Sequence, residues 1–287
     1  MLIFIASSNA DIIQERVCLY SLLNTGHEIT NIRIIDGGTG NIYGANRENI
    51  LDSFEVNLSG ATNFTQARMY IPLKYPGLRS VIIDPDTIVL SHLSGIFGKS
   101  PDYGIFVRKA YGIKRYATSV MGYNLPVMSE TDCNNYSDLL DNPKFTSEDK
   151  IYLSPNFVRE LPWKIHRIQS KWNSFDYFNN KTSLVHLTNL RTQPWVYEGH
   201  PLQALWFDFA RRALDAGYLT YEDIAMQSNV PLPYDAGRMS ARPDFKECLN
   251  KNYSLSRLDK KALAILNQFY KDIKFQGPVT WLWNWLL

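Results

Sequence analysis

Short apolar runs and helically spaced apolar positions succeed one another from the first residues of the chain. Residues 2–6 form an apolar run that predicts a buried strand. Apolar residues then recur at roughly helical spacing between 12 and 23, and Gly26 is a natural helix end. Residues 32–35 predict a second strand, which residues 36–40 close with glycines and an aspartate. This strand–helix–strand order predicts a parallel α/β sheet with ligand sites at the carboxyl ends of its strands.

The rest of the chain contains further predicted turns, strands and helices. Residues 37–44 contain no phosphate-binding glycine pattern, so we interpret them as a turn. Further strands are predicted at 103–107, 118–123 and 183–188, and helices at 61–75, 202–214 and 258–273. With no repeat and no low-complexity linker, we expect one domain with a helical C-terminal extension beginning near residue 200.

The apolar run 81–83 leads into Asp84-Pro85-Asp86, and residues of strand character follow. Residues two apart in extended chain project to one side, so Asp84 and Asp86 can converge on one point. Pro85 biases Asp84 away from helix and preserves that geometry. Adjacent carboxylates repel each other, and a divalent cation between them relieves the repulsion.

Three interpretations of this motif stay open on the residues alone. It can be an ordinary turn joining two strands. It can be the DxD metal motif of nucleotide-sugar glycosyltransferases. It can also be the DxDxT nucleophile motif of dehalogenase-type phosphatases, with Thr87 as its threonine.

Composition narrows the class of protein. The chain has 287 residues, 45% of them hydrophobic and 20% charged, as in a globular protein. A net charge of +2 implies no nucleic-acid partner. Three scattered cysteines without CxxC spacing indicate a reducing compartment. The N-terminal apolar run is short and has no basic residue ahead of it, so we expect no signal peptide and a cytoplasmic protein.

Two surface features are candidates for binding. The basic residues between the strands at 103–107 and 118–123 are expected to be solvated, with anion binding as the alternative; they are Arg108, Lys109, Lys114 and Arg115. The aromatic tail 279–287 carries three tryptophans. We expect it to dock on the core; the alternative is peripheral contact with a membrane interface, where tryptophan is favoured.

A histidine on a later strand selects among the interpretations. His186 lies on the apolar run 183–188, and Pro194-Trp195 follows it. Together with the Asp pair, these residues resemble the family 8-type glycosyltransferases of the GT-A fold, the group that includes glycogenin and bacterial galactosyltransferases. Arg68 matches the basic residue that this family carries on the helix before its DxD motif. The resemblance spans roughly residues 2–200.

The resemblance implies a fold, a reaction and a set of site residues. The fold is GT-A, a mixed, mostly parallel Rossmann-like sheet flanked by helices, with the catalytic domain at 1–199 and the helical extension at 200–287. The reaction is retaining transfer of a sugar from a nucleotide-diphosphate donor, a UDP-sugar in the first place, to a glycan or lipid-linked acceptor. Asp84, Asp86 and His186 would hold Mn²⁺ or Mg²⁺, and imidazole favours Mn²⁺. The nucleotide would contact Ala6, Ser8, Arg68 and Gln193, and the donor sugar Asp149 and Asn173.

The sequence also departs from the family pattern. The segment from His186 to Trp195 is one residue longer than usual, Asn189 replaces a glycine, and Gln193 stands where lysine is expected. Either Arg191 or Gln193 could substitute for the lysine in its contact with phosphate. These departures leave open a protein that keeps the fold and binds nucleotide or glycan without turnover. The phosphatase alternative lacks the GDxxxD segment that it requires downstream.

Overall fold

The computed structural model describes residues 1–54, 63–98, 102–110, 115–127, 129–188, 193–195, 200–228 and 245–250. The strands are β1 (Leu2–Ser7), β2 (Ile32–Asp36), β3 (Asn41–Gly44), β4 (Ile50–Ser53), β5 (Arg79–Ile83), β6 (Thr87–Val89), β7 (Ile105–Lys109), β8 (Tyr116–Asn124), β9 (Ile165–Arg167), β10 (Ser174–Phe175) and β11 (Leu184–His186). The helices are α1 (Ile12–Asn24), α2 (Asn63–Lys74), α3 (Glu130–Asp141), α4 (Ser147–Ile151), α5 (Pro155–Glu160), α6 (Gln203–Asp215), α7 (Tyr221–Ser228) and α8 (Phe245–Asn250).

An eight-stranded mixed sheet runs through the middle of the described residues, in the order β4-β3-β2-β1-β5-β8-β7-β9. Its central strands β2, β1 and β5 are parallel, whereas β3 and β8 run against their neighbours. Alternate residues of β1 face opposite hydrophobic clusters: Phe4 lies with residues of α2, and Ile5 with residues of α1. Helices therefore cover both faces, which explains why β1 and β5 read as continuous apolar runs. The predicted α/β class is confirmed.

A second, smaller sheet of order β10-β11-β6 adjoins the carboxyl ends of the central strands. The chain leaves the large sheet at the end of β5, passes through Asp84-Pro85-Asp86 and enters this sheet as β6. There β6 pairs antiparallel with β11, which sets His186 opposite Thr87. The small sheet thus brings a residue from late in the chain to the Asp-Pro-Asp turn.

Helices α6 and α7 pack against α1, and α8 packs on α6, rather than forming a separate core. Ile13 and Val17 of α1 share one buried cluster with Trp206, Phe207 and Phe245. The boundary expected near residue 200 stays a prediction, and the predicted helix 258–273 and the tail 279–287 lie outside the described residues. None of the helices in the described ranges is long and apolar enough to cross a membrane.

Two local predictions are wrong. Residues 41–44 belong to strand β3 rather than a turn, because Ile42 is buried and pairs with Ile35. The turn is confined to the residues before it, where Gly40 has a φ of +76° and a Cβ would lie 2.5 Å from the Phe54 carbonyl oxygen. Arg108 is not a solvated loop residue, because it lies on β7 with its side chain buried.

Candidate metal centre

The Asp-Pro-Asp turn is fixed by backbone contacts on both sides. Ile83, the last residue of β5, pairs with Ile5, so Asp84 emerges at the carboxyl end of the parallel strands. The Asp84 backbone N–H donates to the Ser119 carbonyl oxygen at 3.0 Å. The Thr87 hydroxyl donates to the Asp84 carbonyl oxygen at 2.9 Å. These bonds hold the two carboxylates on the same side of the turn.

His186 joins the pair through the small sheet. The antiparallel register of β6 and β11 continues past the strands, with the Leu187 backbone N–H donating to the Asp86 carbonyl oxygen at 2.9 Å. One ligand atom from each of Asp84, Asp86 and His186 lies within 4.8 Å of the others. The two aspartates are partly exposed and His186 is buried. We refer to these three residues as the metal cluster.

Arg68 neutralises one of the two carboxylates. It projects from α2, and its guanidinium forms an ion pair with Asp84 and a hydrogen bond to the Thr118 hydroxyl at 3.4 Å. Burial raises the pKa of Asp84, the Arg68 charge counteracts this, and the nearby Asp86 charge adds to it. The pKa of Asp84 is raised overall, as expected where one arginine lies beside two neighbouring carboxylates.

Asp86 has no arginine or lysine partner among the described residues. Its Oδ2 accepts a hydrogen bond from Gln193 Nε2 at 3.0 Å. Its Oδ1 is buried and lies 3.1 Å from His186 Nε2, but the two atoms are not aligned as a hydrogen bond, and no donor among the described residues reaches that oxygen. A buried carboxylate oxygen without a partner lowers the stability of the folded protein. Oδ1 therefore marks a position where a cation or a hydrogen-bond donor would be stabilising.

This donor set suits a divalent cation. Two carboxylates and one imidazole converge, and the unpartnered oxygen belongs to one of them. Carboxylates bind hard cations, whereas imidazole extends the range to first-row transition metals. Gln193 supports the arrangement, because the same Nε2 also donates to the Leu187 carbonyl oxygen at 2.8 Å. The residues therefore fit a metal ion.

The ring of His186 also contacts polar groups on the side away from Asp86. Its Nδ1 lies 3.1 Å from Ser119 Oγ and 3.2 Å from Asn173 Oδ1. Burial is the largest single influence and opposes a charged ring, but the contact with Asp86 and the charges of Asp86, Asp84 and Asp176 together raise the pKa of His186. The imidazole thus has one nitrogen toward the metal cluster and the other toward fixed polar groups.

The other predicted site residues are not all at the cluster. Ala6 is buried at the carboxyl end of β1, beside the start of the Asp-Pro-Asp turn. Ser8 follows it and donates to Asp11 Oδ2 at 2.6 Å. Asp149 lies in the first turn of α4, where its carboxylate accepts hydrogen bonds from the backbone and the hydroxyl of Thr146 at 3.1 and 2.7 Å. Their predicted contacts with the donor stay predictions.

The sequence analysis missed two residues at this site. Asp11 has its pKa raised to about 6, mainly by burial, with the charges of Asp86, Glu15 and Asp84 adding to the effect. It ends the short 3-10 turn Asn9–Asp11 that follows β1. Ser119 lies on β8 between Thr118 and Val120, and nothing in the sequence marks it.

Comparison with known proteins identifies the fold of the chain. No family model matches the sequence, and no curated protein does. Among solved structures, the galactosyltransferase LgtC, in complex with donor and acceptor sugar analogs, is 14% identical, with a TM-score of 0.50 over 76% of this chain and 100% of LgtC. The bifunctional glycosyltransferase WbbM in its apo structure is 12% identical, with a TM-score of 0.52 over 88% of this chain and 52% of WbbM. The glycosyltransferase GlyE of Streptococcus pneumoniae TIGR4 is 15% identical, with a TM-score of 0.50 over 73% of this chain and 60% of GlyE.

The chain therefore has the GT-A fold of glycosyltransferases, as the resemblance predicted. The match spans the whole of LgtC but only about half of WbbM and three fifths of GlyE. At these identities the likeness establishes the fold alone. The dehalogenase-type alternative requires a different fold, and the likeness speaks against it.

Proposed function

We propose that this chain is a metal-dependent glycosyltransferase that moves a sugar from a nucleotide-diphosphate donor, a UDP-sugar, to a glycan hydroxyl with retention of configuration. The observation that carries the proposal is the convergence of Asp84, Asp86 and His186 within 4.8 Å at the carboxyl end of the parallel strands. Ligands of open α/β sheets bind at that end.

Asp84, Asp86 and His186 would hold Mn²⁺, or Mg²⁺ in its place. When bound, the cation supplies Lewis-acid stabilisation of the charge that develops on the departing diphosphate. The protein contributes a rigid set of ligands: β6 and β11 fix His186 against Asp86, and Gln193 clamps the Asp86 oxygen that does not face the histidine. Pre-fixed ligands need little reorganisation during the reaction.

Arg68 adds a fixed positive charge beside the metal cluster. It is buried and ion-paired with Asp84, so its position is set before any donor arrives. Gln193 cannot supply the charge that lysine supplies at this position in the family, because an amide is neutral. Arg68 is thus the cation that we assign to the donor diphosphate.

The nucleoside would lie over the end of β1, against Ala6 and Ser8. Helix α1 begins just beyond this point and packs against α6 and α7. In this proposal residues 1–199 carry the catalytic site, and the extension from residue 200 supports the helix beside the nucleoside.

A second candidate is a protein that binds nucleotide or glycan without turnover. It is favoured by Asp149, because the carboxylate that we predicted at the donor sugar is engaged in a helix cap, where hydrogen bonds from Thr146 and Ser154 lower its pKa. The two candidates differ in the absence of acceptor: a transferase slowly releases free sugar from its donor, and a binding protein releases none.

The first experiment is thermal unfolding with UDP, GDP, CDP, ADP and TDP, each with Mn²⁺ and with EDTA. A ligand at a hundred times its dissociation constant stabilises the native state by about 2.7 kcal/mol, which is visible as a rise in Tm. We expect a rise with UDP and Mn²⁺ that EDTA abolishes. A rise with another nucleotide would replace the donor, and no rise with any of them would overturn the proposal.

A further inference from the structure

The buried side of His186 contains a polar arrangement that faces no solvent. Asn173 is fully buried, and its carbonyl oxygen Oδ1 lies 3.2 Å from His186 Nδ1. Ser119 Oγ lies 3.1 Å from the same nitrogen. A side chain buried in this way behind a candidate ligand has no open path to a donor sugar, so its hydrogen bonds need another explanation.

The orientation of the Asn173 amide is determined by its neighbours. Its Nδ2 points to the Ala117 carbonyl oxygen at 3.5 Å and to Ser119 Oγ at 3.3 Å. A carbonyl oxygen can only accept, so the amide nitrogen belongs on that side and Oδ1 belongs on the side of the imidazole. Oδ1 in turn can only accept, which calls for a hydrogen on His186 Nδ1.

The backbone of Asn173 is itself fixed. The buried Arg108 guanidinium donates to the Asn173 carbonyl oxygen and stacks over the Phe175 ring, with 4.0 Å from the guanidinium carbon to the ring centroid. The Phe175 ring meets the His186 ring edge to face, with centroids 5.9 Å apart. Side chains on both sides therefore hold the amide and the imidazole in one relative position.

A hydrogen on Nδ1 leaves the lone pair of a neutral imidazole on Nε2. That atom faces Asp86 Oδ1 at 3.1 Å, and this oxygen has no hydrogen-bond donor among the described residues. Two acceptors that face each other form an attractive site for a cation. The opposite tautomer would place N–H between them and remove the nitrogen as a ligand.

We propose that Asn173, assisted by Ser119, is a positioning residue that fixes the Nδ1–H tautomer of His186 and so presents Nε2 as a metal ligand. The inference rests on the proposed function, because it concerns the metal of that site. It assigns Asn173 a role other than the predicted contact with the donor sugar. Residues that orient a ligating histidine commonly govern metal affinity in this way.

The test measures Mn²⁺ binding by the full chain and by single variants. Asn173→Ala removes the acceptor, and we expect a dissociation constant about 10- to 100-fold weaker. Asn173→Asp keeps an acceptor oxygen toward Nδ1 and should bind Mn²⁺ more tightly than Asn173→Ala. Ser119→Ala removes the second oxygen near Nδ1 but leaves Asn173 Oδ1, so its affinity should fall between wild type and Asn173→Ala.

Ser174→Ala is the matched control. Ser174 is buried beside Asn173 and donates to the Tyr177 carbonyl oxygen at 2.8 Å, so its loss disturbs the same segment without touching the imidazole. We expect wild-type Mn²⁺ affinity. Equal losses in Ser174→Ala and Asn173→Ala would show a packing effect and overturn the inference.

A second readout does not depend on metal. The ring-nitrogen shifts of His186 in metal-free protein, read at the alkaline end of a pH titration where the ring is neutral, report which nitrogen carries hydrogen. We expect Nδ1–H in wild type and a mixture of tautomers in Asn173→Ala. Nε2–H in wild type would overturn the inference. A wild type with Nδ1–H that binds no divalent cation would instead overturn the proposed function, and with it the purpose of the tautomer.

If Asn173→Ala does not fold, Asn173→Asp and Ser119→Ala carry the test. The inference is supported if wild type binds Mn²⁺ most tightly, Asn173→Asp next and Ser119→Ala least. It also requires that Nδ1–H is retained only where an acceptor oxygen still faces that nitrogen. Wild-type affinity in both variants overturns it.

Discussion

Two clusters of charged side chains lie at the carboxyl ends of the parallel strands. They contain the same kinds of residue but differ in how completely the negative charges are paired. Glu15, Arg47 and Asp36 form one, which we call the saturated cluster; the metal cluster is the other. Asp36 pairs with Ser7 at the end of β2, and Asp84 follows the end of β5, so the two clusters flank β1 on opposite sides. Each has two acidic side chains with arginines nearby: Arg47 and Arg16 beside the saturated cluster, and Arg68 beside the metal cluster.

In the saturated cluster every carboxylate oxygen has a donor. Arg47 donates from Nε at 3.0 Å and from Nη2 at 2.6 Å to the two oxygens of Glu15, and from Nη1 to Asp36 Oδ2 at 2.7 Å. The remaining oxygen, Asp36 Oδ1, accepts backbone N–H groups of Gly38 and Thr39 at 2.7 and 3.2 Å. Arg16 adds a longer ion pair, with 3.8 Å from its Nη1 to Glu15 Oε1, so two arginines lie beside the two carboxylates.

The metal cluster lacks that balance. Arg68 pairs with Asp84 only, and Asp86 Oδ1 has no donor among the described residues. The comparison shows that acidic pairs alone do not identify a metal site. What distinguishes the two is the oxygen without a partner beside an imidazole that points at it.

The largest expected effect is the loss of Arg47. Arg47→Met keeps much of the side-chain volume but leaves the buried Asp36 without a cation and Glu15 with only Arg16, 3.8 Å away. Removing one partner of a buried ion pair costs about 3–5 kcal/mol, which we expect in the free energy of unfolding measured with denaturant. A cost below 1 kcal/mol, where exposed pairs fall, would show that the cluster is not saturated by Arg47.

The next effect separates the two clusters by their response to metal. Asp86→Asn removes a ligand and one charge from an unbalanced pair, so the metal-free protein should be at least as stable as wild type. The gain of about 2.7 kcal/mol expected at a hundred times the Mn²⁺ dissociation constant should disappear. Thermal unfolding with Mn²⁺ and with EDTA measures both quantities.

Asp36→Asn is the matched control for this prediction. It changes the same group in the saturated cluster, where the lost charge faces Arg47, so it should lower stability and leave the Mn²⁺-dependent rise in Tm intact. A Mn²⁺ response that survives in Asp86→Asn and vanishes in Asp36→Asn would reverse the assignment of the two clusters.

The sequence predicts the metal cluster better than its surroundings. Asp84 and Asp86 are two residues apart after an apolar run, and that local pattern specifies their convergence. His186 is added by resemblance, because its distance from Asp86 depends on the register between β6 and β11, which no local pattern encodes. Asn173 precedes β10 and Ser119 lies on β8, so their contacts with the ring depend on how the two sheets pack, which no local pattern encodes.

Asp149 was assigned by family resemblance, although a local capping pattern at the same residue predicts a different contact. Thr146 and Asp149 have the three-residue spacing of a capping box, and the structure uses them as one, with reciprocal hydrogen bonds at the start of α4. Local chemistry therefore predicts the observed contact of this carboxylate. The saturated cluster had no such signal, since Glu15, Asp36 and Arg47 are brought together only by the packing of α1 beside β2.

The smallest expected effect is a change in the titration of Asp11, which senses both clusters. Burial is the main cause that raises its pKa from 3.8 to about 6, and the charges of Asp86 and Glu15 contribute. Glu15 is neutralised by Arg47, whereas Asp86 is not. A cation at the metal cluster should therefore lower the pKa of Asp11, because it offsets the nearby negative charge that is still unbalanced.

The sign for stability follows from the raised value. The folded protein binds the Asp11 proton more tightly than the unfolded chain does, so this contribution is fully present below pH 3.8 and is lost as the pH rises through about 6. Asp11→Asn should remove that dependence from the free energy of unfolding measured in EDTA. Carboxyl ¹³C shifts of Asp11 with and without Mg²⁺ give the pKa directly, and the Mg²⁺-induced decrease should be absent in Asp86→Asn. A pKa that does not move with Mg²⁺ in wild type would mean that Asp11 does not sense the charge of the metal cluster, and its raised value would then come from burial and Glu15 alone.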